Sequence, residues 1–425
     1  MRYLLLGLLT VASTVAAPSK GASTEVTYYK NVLPVLQKNC QGCHRPGEAA
    51  PMSFLTYKDT RPWAKAMKEA VLTKKMPPWF ADPHVGKFAN DRTLSQADVD
   101  LLARWADTGA VAGNPKDAPA PLQFVEGWNI GKPDLVVEMP NDFNVPLSGT
   151  IDYTYFVVPL NLKKDKWVRM AEARPGNRAV VHHIIAYVRE PGSKWMKDAK
   201  PGEPFVPSKD SEGNGEFLVG YAPGTIPLTL KPGQAKLIKA GSDIILQMHY
   251  TANGKEGKDR TRVGIVFANE PPKERVMMLA AATKKFAIPP GADNYQVDAK
   301  ITLQGDATLQ QMLPHMHLRG KAFEYRITYP DGRTEELLKV PNYSFSWQLS
   351  YLPVAPIFLP KGTTISCTAW YDNSANNPNN PDPKVEVHYG DQSWEEMMFG
   401  FFEVSFDASV NPRDLLRAKK AEKSD

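Results

Sequence analysis

Residues that hold metals or redox groups are unevenly spread along this chain. Two of its 3 cysteines fall in Cys40-Gln41-Gly42-Cys43-His44. A C-x-x-C-H pentad is the attachment pattern of c-type haem. Its two thiols can form thioethers to the porphyrin vinyl groups, and the histidine that follows then lies beneath the iron. The alternatives are a redox dithiol or half of a zinc site, and no second cysteine pair exists to complete the latter. Of the 8 histidines, five cluster as His182-His183, His249 and His315-Met316-His317. In a strand, residues two apart share a face, so His315 and His317 project together and can hold one metal. By the same rule His249 shares its more polar face with Gln247, while Met248 turns towards a core. His182 and His183 are adjacent and point apart in a regular strand, so joint ligation requires a bulge or unequal use of the ring nitrogens.

The order of these groups resembles a known family. His182-His183, then Gln247-x-His249, then His315-x-His317, then Glu396-Met397 is similar to the copper type II, ascorbate-dependent monooxygenases. That family includes the peptidylglycine alpha-hydroxylating and dopamine beta-monooxygenases. The resemblance covers roughly residues 134–408. It implies that His182, His183 and His249 bind an electron-transferring copper. It also implies that His315, His317 and Met397 bind a second copper and form the catalytic set, where oxygen is activated. The implied fold is two successive antiparallel β-sandwiches of jelly-roll type, with the sites facing each other across a solvent-filled cleft. Donor chemistry agrees with copper: imidazole suits both oxidation states, thioether favours Cu(I), and methionine is a poor zinc ligand. Some family members carry arginine two residues before the His-x-His, where it grips a substrate carboxylate. Here that residue is Leu313, which argues against a peptide ending in glycine.

The elements that must position these residues read as follows. Residues 28–39 form a helix leading into the pentad, with Pro34 bending it or delaying its start. Ser95 caps a second helix whose Val99, Leu101, Leu102 and Trp105 make an apolar stripe. Between them lies Lys75-Met76-Pro77-Pro78-Trp79, which resembles the distal methionine loop of small bacterial cytochromes c. Met76 is therefore the expected sixth haem ligand, with His84 its rival and Met52 and Met67 weaker candidates. Residues 111–133 are rich in Pro, Gly and Ala and read as a semi-extended linker. Beyond it, short β-branched and aromatic runs alternate with turns: Tyr153–Leu160, Ala179–Arg189, Ser242–Thr251, Arg262–Ala268, Ala322–Tyr329, Thr363–Tyr371 and Met397–Phe406. That spacing suggests sandwiches. Asp372–Pro383 reads as a turn-rich loop, either plain surface or one that shapes a substrate entrance. His388 lacks a partner in sequence, and Cys367, in a strand-like run, reads as a buried free thiol.

Composition sets the frame. The chain has 425 residues, enough for two or three domains. With 37 prolines, a helical bundle is disfavoured. Three cysteines exclude a disulfide scaffold, and a net charge of +5 over this length gives no reason to expect nucleic acid. Met1 to Ala17 has a basic start, a short apolar run and small residues, the pattern of a secretory signal peptide. No other apolar stretch approaches the roughly 18 residues of a membrane helix, so no stable membrane anchor is expected. The expected organisation is a leader over 1–22, a small all-α cytochrome c domain over 23–112 and a Pro-rich linker over 113–133. Two all-β sandwich domains over 134–275 and 276–410 and a charged tail over 411–425 follow. The expected function is a periplasmic or secreted monooxygenase with one covalent haem c and two copper ions. It would hydroxylate an activated C–H bond of a small molecule with O2, its electrons coming from an ascorbate-like reductant or a redox protein and passing through the haem. The alternative is a non-catalytic copper-binding or electron-transfer protein.

Overall fold

The computed structural model describes residues 25–48, 50–207, 215–223 and 225–416. The expected leader and the tail beyond 416 lie outside them. The architecture is mostly β, with a few short helices near the start. Among the described residues, no helix is long and apolar enough to cross a membrane.

The front of the chain forms Tyr28–Val32, Leu33–Asn39, Ala64–Leu72 and Gln96–Asp107. Pro34 sits in the first turn of Leu33–Asn39, where its missing N–H costs nothing. The preceding turn is a π-type segment, so the chain enters the α-helix late, as proline requires. Ser95 caps Gln96–Asp107 by accepting from the Asp98 amide at 3.1 Å. Leu102 and Trp105 are fully buried against Tyr28, Val32 and Leu36, so this segment has its own core.

The remainder is built on one nine-stranded sheet. Its main path runs Leu135–Glu138, Arg262–Phe267, Lys166–Arg174, Gln234–Ile238, Glu274–Thr283, Met398–Asp407, Ala307–His315 and Ile357–Leu359. Two four-stranded sheets pack against its two halves. Thr154–Pro159, Asp243–Tyr250, Val181–Arg189 and Glu216–Tyr221 form the first. Tyr295–Thr302, Thr364–Tyr371, Gly320–Thr328 and Thr334–Val340 form the second. Val168, Val263 and Ile265 of the long sheet meet Ile184, Leu246 and Met248 in one core. Leu309, Met312 and Phe402 meet Phe323, Ile365 and Ala369 in the other. All seven strand runs expected from the sequence are present, their ends shifted by at most two residues.

The boundary expected between residues 275 and 276 falls inside Glu274–Thr283. That strand pairs in parallel with Gln234 and Ala235 and antiparallel with Met398–Asp407. The two β units therefore share a sheet and do not meet across a linker. A buried Lys236–Glu403 ion pair of 2.7 Å spans the same seam. The start of the expected charged tail is anchored: Leu415 is buried, and its carbonyl accepts from the Gln304 backbone amide.

Cys367 is a buried free thiol, as expected. It sits under Gly400, where an added Cβ would lie 2.2 Å from Sγ. Gly400 pairs with Pro314, immediately before His315. The Gly400→Ala variant should therefore lose about 1–3 kcal/mol of stability through overpacking. An unchanged thermal midpoint would contradict so close an approach.

Candidate metal centre

The first histidine set depends on a local irregularity. Val181 pairs with Tyr250 and His183 with His249, so the register shifts between Val181 and His183. His182 is the extra residue, and the bulge turns its ring to the side of the other two. The nitrogens converge: His182 Nδ1 lies 3.4 Å and His249 Nδ1 3.3 Å from His183 Nδ1. Available donor atoms of all three lie within 4.8 Å of one another. A metal bound about 2.0–2.1 Å from each imidazole nitrogen would hold tetrahedrally arranged nitrogens about 3.3–3.4 Å apart. The donor set fits a single ion. Met248 is buried in the core behind the strand, as alternation requires.

The second set is held differently. Ala307–His315 ends at His315, and His317 lies just past it, their rings 5.2 Å apart between centroids. Met316 between them is buried in the core. His315 Nδ1 is 2.8 Å from Gln348 Oε1, and His317 Nδ1 is 3.2 Å from the Glu395 carbonyl. Each Nδ1 thus carries the proton, leaving the Nε2 lone pair free to ligate. His317 Nε2 is buried without a hydrogen-bond partner. Met397 is half-buried just before Met398–Asp407. The fully buried Glu396 ties this region together: one carboxylate oxygen accepts from the His317 and Met397 amides at 2.8 and 3.3 Å. The other accepts from the Arg319 amide at 2.6 Å. Burial pushes the Glu396 carboxyl up to about 8, against the pull of these amides and the Arg319 guanidinium.

The two sets are close. Tyr153 lies 4.7 Å from the His249 ring and 6.4 Å from that of His317. Phe345 stacks on His182 at 5.5 Å and reaches His317 at 5.9 Å. Each of these two aromatic rings thus lies beside histidines of both sets. Tyr153 donates its backbone N–H to Gln392, pinning the first β unit to the second.

Several of these positioning residues lie outside the sequence expectation. The segment 341–352 supplies Tyr343, hydrogen-bonded to both Met316 backbone groups, then Phe345 and Gln348. Its density of aromatics in NYSFSWQ is the one sequence signal that could have marked it. The same segment is gripped from the front of the chain. Asn90 bonds Ser350 and Leu352, and Phe88 packs on Tyr351. The asparagine-rich 372–383 stretch is not a plain surface loop. Asn373 is fully buried, accepts from Arg319 Nε at 2.7 Å and donates to Pro289 and Val385 carbonyls at 2.9 Å.

In the pentad, the His44 amide donates to the Cys40 carbonyl at 2.9 Å, folding Cys40, Cys43 and His44 into one turn. Neither thiol is in a disulfide, and burial pushes Cys40 up to about 12. His44 stacks on Phe54 at 4.3 Å, with its Nδ1 buried and unpaired. Among the axial candidates, Met76 is half-buried after Ala64–Leu72, while Met52 and Met67 pack into the core beside Cys40. His84 is 88% exposed and bonded to Asp82. His388 is exposed beside Glu386.

The chain matches no family model, and no curated protein matches it. Among solved structures it is similar to the infectious bursal disease virus VP2 subviral particle, at 11% identity over 67% of this chain and 74% of that one, TM-score 0.20. It is also similar to PBCV-1 VP54 fitted into a reconstruction of the virophage Sputnik, at 9% identity over 68% and 100% of the two chains, TM-score 0.23. Likenesses this low carry no functional argument.

Burial holds His249 down at about 3 and His315 at about 4, from 6.5 in the unfolded chain. In the metal-free protein, the unfolded state then binds protons that the folded state refuses. Stability is full above pH 6.5 and falls as pH drops towards 4. Melts of the metal-free protein should show this decline, shallower in His249→Ala; equal slopes would refute neutral burial of His249. Asn373→Ala should cost at least about 2 kcal/mol by stripping buried Arg319 of its acceptor, measurable by urea unfolding.

Proposed function

We propose that this chain is an exported monooxygenase with one covalent haem c and two copper ions. The observation that carries the reading is the convergence of three imidazole nitrogens beside a second pair of proton-assigned imidazoles, both sets touching Tyr153 and Phe345. The front segment is read as a cytochrome c domain and the two layered β units as jelly-roll-like sandwiches. Cys40 and Cys43 would anchor the haem, with His44 the proximal and Met76 the sixth ligand. His182, His183 and His249 would hold one copper through Nδ1. His315, His317 and Met397 would hold the other, the histidines through Nε2.

When bound, the coppers supply reductive oxygen chemistry: one atom of O2 enters a substrate C–H bond as hydroxyl, and the other leaves as water after two electrons and two protons. The protein's part is positional. Burial keeps the five imidazoles neutral and thus able to ligate, chiefly by desolvation. Gln348 and the Glu395 carbonyl fix the tautomers of His315 and His317. Tyr153 and Phe345 pack against rings of both sets and would restrict water there, limiting loss of reducing equivalents to solvent. An ascorbate-like reductant or a redox protein would supply the electrons, for which Cys40, Cys43 and His44 would hold the haem and His182, His183 and His249 the copper. The substrate is a small molecule.

Metal analysis of the purified protein should find one iron and two coppers per chain, and one copper fewer in His249→Ala. His315→Ala and Met397→Leu should abolish reductant-dependent oxygenation while the three-histidine copper stays bound. Oxygenation surviving both substitutions would eliminate the site assignment. Copper bound at full stoichiometry with no oxygen uptake across a substrate screen would favour a carrier.

A further inference from the structure

A chain of contacts joins the haem-type pentad to the three-histidine site. Arg45, next to His44, pairs with Glu48 at 3.1 Å. Glu48 pairs with Arg178 of the first β unit at 3.3 Å. Arg178 donates to the Tyr221 hydroxyl at 3.2 Å, and its guanidinium lies 5.3 Å from that ring's centroid. Tyr221 pairs in register with Ile184, the neighbour of His183. Arg178 itself stands four residues before His182. These groups are mostly buried, and the Cys43 thiol and Tyr221 phenol lie within electrostatic reach of each other. A cavity of about 60 Å³ at this contact is lined by Glu48, Glu172, Arg178, Gly220 and Tyr221.

We propose that Glu48, Arg178 and Tyr221 form the intramolecular electron-transfer contact between the haem segment and the three-histidine copper. This deepens the proposed function and rests on it. One electron leaves ferrous haem and reduces Cu(II) to Cu(I); ferric haem remains, and no bond or proton need move. The three residues are positioning residues. Partly buried charge-assisted bonds hold the pentad loop against the strand that pairs with the histidine strand, and the Tyr221 ring lines the small cavity beside them. Pre-organisation of this kind removes the need for a docking motion before each transfer.

The test uses the full chain loaded with haem and copper, without oxygen. A flash-excited ruthenium complex reduces the haem, and its reoxidation by Cu(II) is followed optically. Wild-type haem should reoxidise faster with copper than without; if it does not, the relay reading itself fails. Where the relay holds, Arg178→Ala and Tyr221→Leu should each slow the copper-dependent phase about tenfold, the scale of losing a hydrogen bond to a charged group. The haem potential and the Cu(II) EPR signal of the three-histidine site should stay unchanged. Unaltered rates in the folded variants would overturn the contact while leaving the relay standing. Slowing accounted for by a shifted potential would overturn it too. If Arg178→Ala does not fold, Tyr221→Leu and Glu48→Gln provide the same comparison.

Discussion

Five largely buried, neutral imidazoles stand in two neighbouring sets, and much of the local structure serves that constraint. Three ring nitrogens of the first set meet with few hydrogens to share among them, and burial removes much of the water that would compensate. Such an arrangement is unfavourable unless backbone and packing impose it. The bulge at His182 supplies the imposed geometry on one side. On the other, Glu396 fixes the backbone of His317 and Met397 through shared amide bonds, so the turn cannot relax.

Bringing two such sets together places a second demand on the fold, because they belong to different β units. Two sandwiches joined by a flexible connection would rock, and the rings between them would not keep fixed distances. The shared sheet removes that freedom. Glu274–Thr283 is paired on both sides, and Lys236–Glu403 locks the seam from within. A buried ion pair of this kind adds little net stability when intact, yet breaking it is costly, so it defines one arrangement. Tyr153 and Phe345 then contact both sets at distances that the seam helps to fix.

The histidines, the pentad and the strand positions around them were legible because each is a local signal: fixed spacing, period-two alternation, or a cap such as Ser95. A bulge at His182-His183 was one of two legible solutions, the other being unequal use of the ring nitrogens, and the register shift decides for the bulge. What escaped is long-range. Gln348 lies 33 residues from His315, and Asn373 lies 54 from Arg319. No periodicity links them, and only the folded chain brings them into contact. The asparagine-rich stretch misled for a related reason. Turn-forming residues have polar side chains suited to surfaces, but here those side chains satisfy buried backbone carbonyls. The shared sheet was hidden because the 275/276 boundary marks no break in composition.

The front segment follows from the same logic. A proline-rich linker alone would make it a tethered module, visiting the β units at an effective concentration set by linker length. Instead it grips the scaffold of each histidine set: Glu48 on Arg178, and Asn90 on Ser350 and Leu352. The linker itself is fastened, with the Asn129 amide bonded to Glu172 at 2.7 Å and Arg174 over Trp128. Two anchors on different faces determine orientation as well as distance. A redox group attached at Cys40 and Cys43 would therefore sit in a defined position relative to both sets. Lengthening the linker would change little, whereas disturbing an anchor would change the geometry of the site it supports.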